Sequence, residues 1–273
     1  MAKLAELVHE QLSNLNYNQT PKCSKVQESV QNHFDWQLSE VNQTTAPVIV
    51  KSNTEYPLVG TATLELAPSP LHKQIQQFAH LALGAGCQQV QLFPLFLLPG
   101  VHVREDIPAE VALAQANLGD AIVLKQQPYL GANPDLGKIL TKQVSLVQTH
   151  GKILLAHGSR RYRSNEPVEI LAKQLGAVIA YWSILPTLEE QITSLVSAGY
   201  QQIMIIPYFL FTGGITDAIA QMITSLQEKF PQLQLKLGEP IGVSTELAKL
   251  VVDLTGGKES FAQETNQQST INN

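Results

Sequence analysis

The feature that most constrains the fold is a repeat. Residues Ala85 to Gly100, AGCQQVQLFPLFLLPG, align without a gap on Ala198 to Gly213, AGYQQIMIIPYFLFTG. Eight of the sixteen positions are identical, including Pro94/Pro207, Phe96/Phe209 and Gly100/Gly213. Downstream, Gln127 to Leu140 reads like Glu239 to Val251, each a turn followed by a helical pattern. One supersecondary unit is therefore used twice. At 273 residues the chain has room for both copies with ordinary cores.

The second copy spells out the unit. KILLAHGS is a short buried strand running into a small-residue turn, and Pro167 follows near a helix start with Val168, Leu171 and Leu175 on one face. AVIAYWSIL is the next strand, then a helix over Leu188 to Val196, then the strand QIMIIPYFL. Thr216 is placed to cap a helix whose apolar stripe is Ile219, Met222, Ile223 and Leu226, and LQLKL with a helix over Thr245 to Leu254 closes the unit. Strands alternating with helices predict an α/β fold: two duplicated domains, each a small parallel sheet flanked by helices. The expected boundaries are 1–149, 150–255 and a polar, disordered tail over 256–273.

The copies are unequal. An Asn/Gln/Ser/Thr-rich stretch over about 17–56 reads as a surface insertion. The second half opens on KILLAHGS, whereas the first opens on the helix AKLAELVHEQL, so the first lacks an opening strand and its His-Gly-Ser turn. That strand is central in a parallel sheet, and its loss predicts a gap. A start assigned too far downstream, or a degenerate first half, would account for it.

Several classes are excluded. A net charge of −5 gives no pull toward nucleic acid or anionic lipid, and no apolar run approaches a membrane span. Cys23 and Cys87 form no CxxC pair, which removes zinc knuckles and iron–sulfur clusters and fits a reduced, cytoplasmic setting. No phosphate-binding glycine fingerprint follows a first strand, so no nucleotide is expected.

Ligands of parallel α/β sheets bind beyond the carboxyl ends of the strands. His102 follows LFPLFLLPGV there and His157 follows ILLA, with Gly100 and Gly158 beside them for tight turns and ligand room. A lone turn histidine is often merely solvated or capping; the strand-end position and the glycine weigh equally toward a ligand. Neutral imidazole suits Fe(II), Co(II), Ni(II) and Zn(II) and accepts a proton near pH 7. Glu65 ends a strand on the same edge, or is simply an exposed carboxylate. SRRYR, Ser159 to Arg163, is a solvated helix entry or a cationic patch. His9, His33, His72, His80 and His150 read as surface residues. At the repeat position of His102 the second copy has Ile215.

Four stretches in order, PLVGTATLELAPSPLHKQI, LFPLFLLPGVHVREDIP, LLAHGSR and PYFLFTGGITDAI, make the chain resemble the sirohydrochlorin chelatases, class II chelatases of sirohaem and cobalamin synthesis, in their long two-domain form. The resemblance spans about Leu4 to Leu254 apart from the polar insertion. It implies a lyase that inserts Fe(II) or Co(II) into sirohydrochlorin in a cleft between the domains, with the metal as substrate and no permanently bound cofactor. It further implies a monomer that is an internal pseudo-dimer, with neither nucleic acid nor membrane as partner.

Carried over by position, His102 and His157 are the implied catalytic and metal-binding residues. Leu97, Leu98, Pro99, Gly100 and Val101 line the macrocycle, and Glu65 contacts substrate. Arg104, Arg160, Arg161 and Arg163 are the cations available to a carboxylate-rimmed ring, Arg104 and Arg160 foremost. His102 would relay the metal while imidazole or carboxylate takes the two pyrrole protons. In the family pattern both histidines come from the first domain. Here His157 belongs to the second, so one site forms only if the halves bring the two together. A non-catalytic tetrapyrrole or metal carrier is the alternative. A phosphate or phosphotransfer site at AHGSRR is weaker, because Ala156 stands where the common phosphatase motif has arginine.

Overall fold

A computed structural model describes residues 2–16, 45–50, 58–145 and 151–255. The expected tail over 256–273, most of the polar stretch over 17–56, and Cys23, His33 and His150 lie outside the described residues.

The second half matches the expected unit. Strands β5 (Gly151–Ala156), β6 (Val178–Tyr181), β7 (Gln202–Tyr208) and β8 (Gln234–Leu237) form an all-parallel sheet in the order β6-β5-β7-β8. Helices α5 (Glu166–Gln174), α6 (Leu188–Ser197), α7 (Gly214–Lys229) and α8 (Thr245–Thr255) connect and cover it. Both faces of its central strands are buried, and the side chains alternate. Ile153, Leu155, Ile203 and Ile205 enter the cluster under α6 and α7. Leu154, Ala156, Met204, Ile206 and Tyr208 enter a different one. Such continuous apolar runs are what a doubly covered parallel strand requires.

Local signals set the helix boundaries. Thr187 and Glu190 close a reciprocal capping box at α6, with Thr187 N–H donating to Glu190 at 2.8 Å and Glu190 N–H to Thr187 Oγ1 at 3.3 Å. Pro167 lies in the first turn of α5, where its missing N–H is harmless. Two expectations for α7 need correcting. Thr216 is not the N-cap; it sits inside the first turn, and its hydroxyl accepts from Gly213 N–H at 2.7 Å. Met222 stays exposed, leaving Ile219, Ile223 and Leu226 as the buried stripe, because position i+3 here falls on the solvent margin.

The first half repeats this order with one reversal. Strands β1 (Thr45–Val50), β2 (Leu58–Thr63), β3 (Gln89–Leu92) and β4 (Val123–Gln126) are ordered β2-β1-β3-β4. Helices α1 (Ala2–Asn16), α2 (Leu71–Gly84), α3 (Ile107–Leu118) and α4 (Leu136–Ser145) accompany them. The predicted central gap is filled: β1, from within the expected surface insertion, occupies the place of β5 but runs antiparallel to both neighbours. The α/β class and duplication stand, while this sheet is mixed, not all parallel. A strand entering from the opposite end satisfies the neighbours' backbone groups as well as a parallel one would. What reversal cannot do is deliver a turn at the carboxyl edge, which here meets the amino end of β1.

One cluster joins the halves. Leu4 and Val8 of α1, Phe93 and Leu95, Leu130, and Leu136 and Leu140 of α4 pack with Leu154, Val168, Ile206, Leu247 and Val251. Each half keeps a private cluster on its other side, around Ile75, Val90 and Val111 in the first and Ile192, Ile205 and Ile219 in the second. No described helix is long and apolar enough to cross a membrane.

Candidate functional site

His102 opens a wide π-type turn, His102–Asp106, that passes directly into α3. The four-residue spacing lets Asp106 reach back to the ring: His102 Nδ1 donates to Asp106 Oδ2 at 2.7 Å. A carboxylate only accepts, so the proton of a neutral ring resides on Nδ1 and the lone pair on Nε2. That nitrogen faces Glu65, whose Oε1 is 3.7 Å away. The Phe96 ring, tilted 47° with its centroid 5.9 Å from that of His102, limits rotation of the imidazole. The His102 side chain is 34% exposed, enough to remain accessible while being held from three sides.

The loop before His102 is built from backbone contacts. Leu97 passes so close to Gly131 that a Cβ there would stand 2.0 Å from the Leu97 carbonyl oxygen. Only glycine admits that approach. Leu97 and Leu98 pack partly buried against the joint core, Pro99 is buried and Val101 is 38% exposed. Gly100 differs from its expected role in the turn. Its φ is not left-handed and an added Cβ would meet nothing within 4 Å, so it leaves open space and the turn does not need it.

His157 follows β5 and is exposed at the carboxyl edge of the second sheet. Partial desolvation lowers its pKa below the ordinary histidine value, keeping the ring neutral to lower pH. The turn beside it does depend on glycine: Gly158 has φ +85°, and a Cβ would meet Ile184 at 2.7 Å. The His157 carbonyl accepts from Ser183 N–H at 2.9 Å and Ser183 Oγ at 2.8 Å, which anchors the loop to the end of β6.

Two contacts that the sequence did not reveal tie this loop to the His102 loop. Arg161 Nη2 pairs with Glu105 Oε1 at 2.5 Å, and the fully buried Ser164 donates its hydroxyl to the Pro99 carbonyl at 3.1 Å. The loops carrying the two histidines are thus bonded across the halves. The arginines now separate by role. Arg161 is engaged by Glu105, and Arg163 Nε donates to Glu166 at 2.7 Å. Arg104 and Arg160 are exposed and form no ion pair among the described residues.

His72, expected at the surface, is instead pinned. Its Nδ1 and its backbone N–H both meet Glu110 Oε2 at 2.8 Å, with the side chain 18% exposed. Asp106 was missed as well, although its four-residue spacing from His102 was a readable signal. Among the described residues no group of three or more His, Cys, Asp and Glu side chains is arranged to hold a metal ion by itself. The donor pair on offer is His102 Nε2 with the Glu65 carboxylate, which suits an ion that takes its remaining ligands from another molecule.

Such a fold and site define a two-domain α/β protein with a histidine–carboxylate pair on one half's strand edge, and the CbiX family pattern matches the chain twice, over residues 37–146 and 151–256. The chain belongs to the CbiX family. It is 26% identical over 223 residues to the sirohydrochlorin ferrochelatase of Priestia megaterium, covering 76% of this chain and 82% of that one. It is 21% identical over 210 residues to the sirohydrochlorin cobaltochelatase of the same organism, covering 71% and 67%. Among solved structures, SirB from Bacillus subtilis with Fe3+ superposes with a TM-score of 0.59 at 19% identity, over 71% of this chain and 79% of SirB. The SirB complex with cobalt gives 0.56 at 19% identity, over 70% and 76%. The structural likeness concerns the fold. The relatives bearing the family's activity are chelatases for iron and for cobalt.

Proposed function

We propose that this chain inserts Fe(II) or Co(II) into sirohydrochlorin. The observation that carries the reading is the line Glu65–His102–Asp106. Asp106 fixes the ring so that Nε2 points at a carboxylate 3.7 Å away, a gap in which a divalent cation can be shared between nitrogen and oxygen. Imidazole and carboxylate together accept both metals, in keeping with iron-using and cobalt-using relatives. As the ion moves to the four ring nitrogens, two pyrrole protons must leave. The freed Nε2 and the Glu65 carboxylate are the bases at hand, each able to take one.

His157 is the further donor in this reading. Its loop is bonded to the His102 loop through Arg161–Glu105 and Ser164–Pro99, which supports both histidines serving one cleft. Arg104 and Arg160 hold carboxylates of the ring's rim, and Leu97 to Val101 line its face. A cytoplasmic setting fits this reading, as two cysteines without a CxxC pair suit a reduced compartment.

A second reading is favoured by β1. Because that strand is reversed, the first sheet offers no histidine turn at its centre. A carrier that binds ring or metal without joining them would need no more than what remains. Anaerobic mixing of the purified protein with sirohydrochlorin and Fe(II) or Co(II) separates the two. Loss of the free-ring absorbance well above the spontaneous rate, abolished in His102→Ala, is the enzyme's result. Tight ring binding with only the spontaneous rate is the carrier's result and overturns the proposal.

A further inference from the structure

Among the described residues only two that are not glycine adopt a left-handed backbone, and both lie on loops at this edge: Leu66 (φ 63°) and Arg163 (φ 60°). A side chain bearing a Cβ is disfavoured there, and such conformations persist where a site requires them. Each also presents a large apolar group to water. Leu66 is 72% exposed, and Tyr162, immediately before Arg163, is 85% exposed, the two highest values among the large hydrophobic side chains. Leucine at position 66 therefore gains neither burial nor backbone ease, and glycine or asparagine would serve the turn better. Folding alone does not account for it.

Both residues flank the His102 turn, from opposite halves. Leu66 follows Glu65, which lies 3.7 Å from His102 Nε2. Tyr162 stands between two anchored neighbours, Arg161 bonded to Glu105 and Ser164 bonded to the Pro99 carbonyl, so its backbone is tethered to the loop that carries His102. Arg163 turns the chain away and is held by Glu166.

We propose that Leu66 and Tyr162 are two jaws, one from each half, that grip the apolar faces of a flat, carboxylate-rimmed ring. The inference rests on the reading that the cleft takes a tetrapyrrole, and it names residues that set how firmly the ring is held. An aromatic and an aliphatic side chain suit the faces of an extended π-system, and Arg104, in the His102 turn, and Arg160, two residues before Tyr162, suit its anionic rim.

The test is a titration of metal-free sirohydrochlorin into the full chain, followed by ring absorbance, with melting temperatures measured alongside. Leu66→Gly is expected to weaken ring binding roughly tenfold, as expected for loss of one buried leucine contact, while leaving the melting temperature unchanged or raised. Tyr162→Ala should weaken binding by a similar factor and Tyr162→Phe should restore it, since the face and not the hydroxyl is used. Variants that bind as the parent does refute the jaws and leave the chelatase reading intact. A lowered melting temperature in Leu66→Gly gives that leucine a folding role and overturns its assignment. A parent protein that fails to bind the ring overturns both proposals at once.

Discussion

The two halves of this chain have lost complementary things. The second keeps the central parallel strand and the histidine turn that follows it, but Ile215 stands where the first half has His102. Counting back from the helix starts at Leu71 and Leu188, Trp182 stands where the first half has Glu65. The first half keeps both of those donors and has the central strand reversed. In the proposed reading a single set, Glu65, His102 and His157, is therefore divided between the copies. Duplication removes the need for either copy to be complete, provided that the loops carrying the remaining members stay in register. Arg161–Glu105 and Ser164–Pro99 are the contacts that hold them so.

The sheet register carries the difference further. In the second half β5 pairs with β7 over six residues, from Gly151↔Ile203 to Ala156↔Tyr208. In the first, β1 pairs with β3 only at Val48↔Leu92 and Ile49↔Gln91. The stretch after Leu92 is thereby released from the ladder, and its carbonyls are satisfied by the loop after β4: Leu130 N–H donates to Pro94 and Gly131 N–H to Phe96, each at 2.9 Å. The segment that leads to His102 is thus a supported loop from Phe93 onward, whereas its twin stays in the ladder three residues further, to Tyr208, and is supported in the same way only from Phe209.

The sharpest way to break this comparison is to remove donors one half at a time. His102→Ala should lower metal insertion by roughly 100-fold or more with ring binding retained, whereas Ile215→Ala should change it less than about twofold. Equal effects would mean that the division is not functional. Asp106→Asn keeps the size of the side chain but weakens its hold on Nδ1, and metal affinity by calorimetry should fall by roughly 10-fold or more, as for other residues that orient a ligating histidine.

Stability separates the joint core from the private ones. Leu154→Ala, in the cluster shared by both halves, should cost about 2–5 kcal/mol and lower the denaturation midpoint of the whole chain in one transition. Ile75→Ala, in the first half's own cluster, should act mainly on that half and be seen first in hydrogen exchange of α2 and α3. Ser164→Ala should cost about 1–3 kcal/mol, because it leaves the buried Pro99 carbonyl without its partner.

The smallest effect concerns pH. Desolvation holds the folded His157 below its unfolded pKa, so the unfolded chain binds the proton more readily. Stability should therefore rise as pH rises from the folded pKa to about 6.5 and level off above it. NMR titration of the ring protons should place the midpoint below the ordinary histidine value, and His157→Gln should remove that slope.

What was legible in the sequence was whatever short-range pattern determines. Strand runs, helix stripes and the His102 turn depend on neighbours a few residues away, and the repeat doubled each signal. Strand β1 was not legible because TAPVIV is a brief apolar island in polar surroundings, and nothing local states which way a strand enters a sheet. Ser164 and Glu105 were hidden for a different reason. Their partners lie in the other half, and a serine or a glutamate in a loop has no signature until the fold brings Pro99 and Arg161 to it. Met222 failed as a stripe member because helical periodicity gives the direction of a face and not its width.

The joint core also bears on how such a molecule came to be. Two copies that once folded separately would each have needed a solvated outer surface where Leu4, Leu136, Leu154 and Leu247 now meet. As they stand, neither half can be bared of the other without exposing those side chains to water. The greasy seam makes the two halves one inheritance unit, in which a donor present in one half serves the whole molecule.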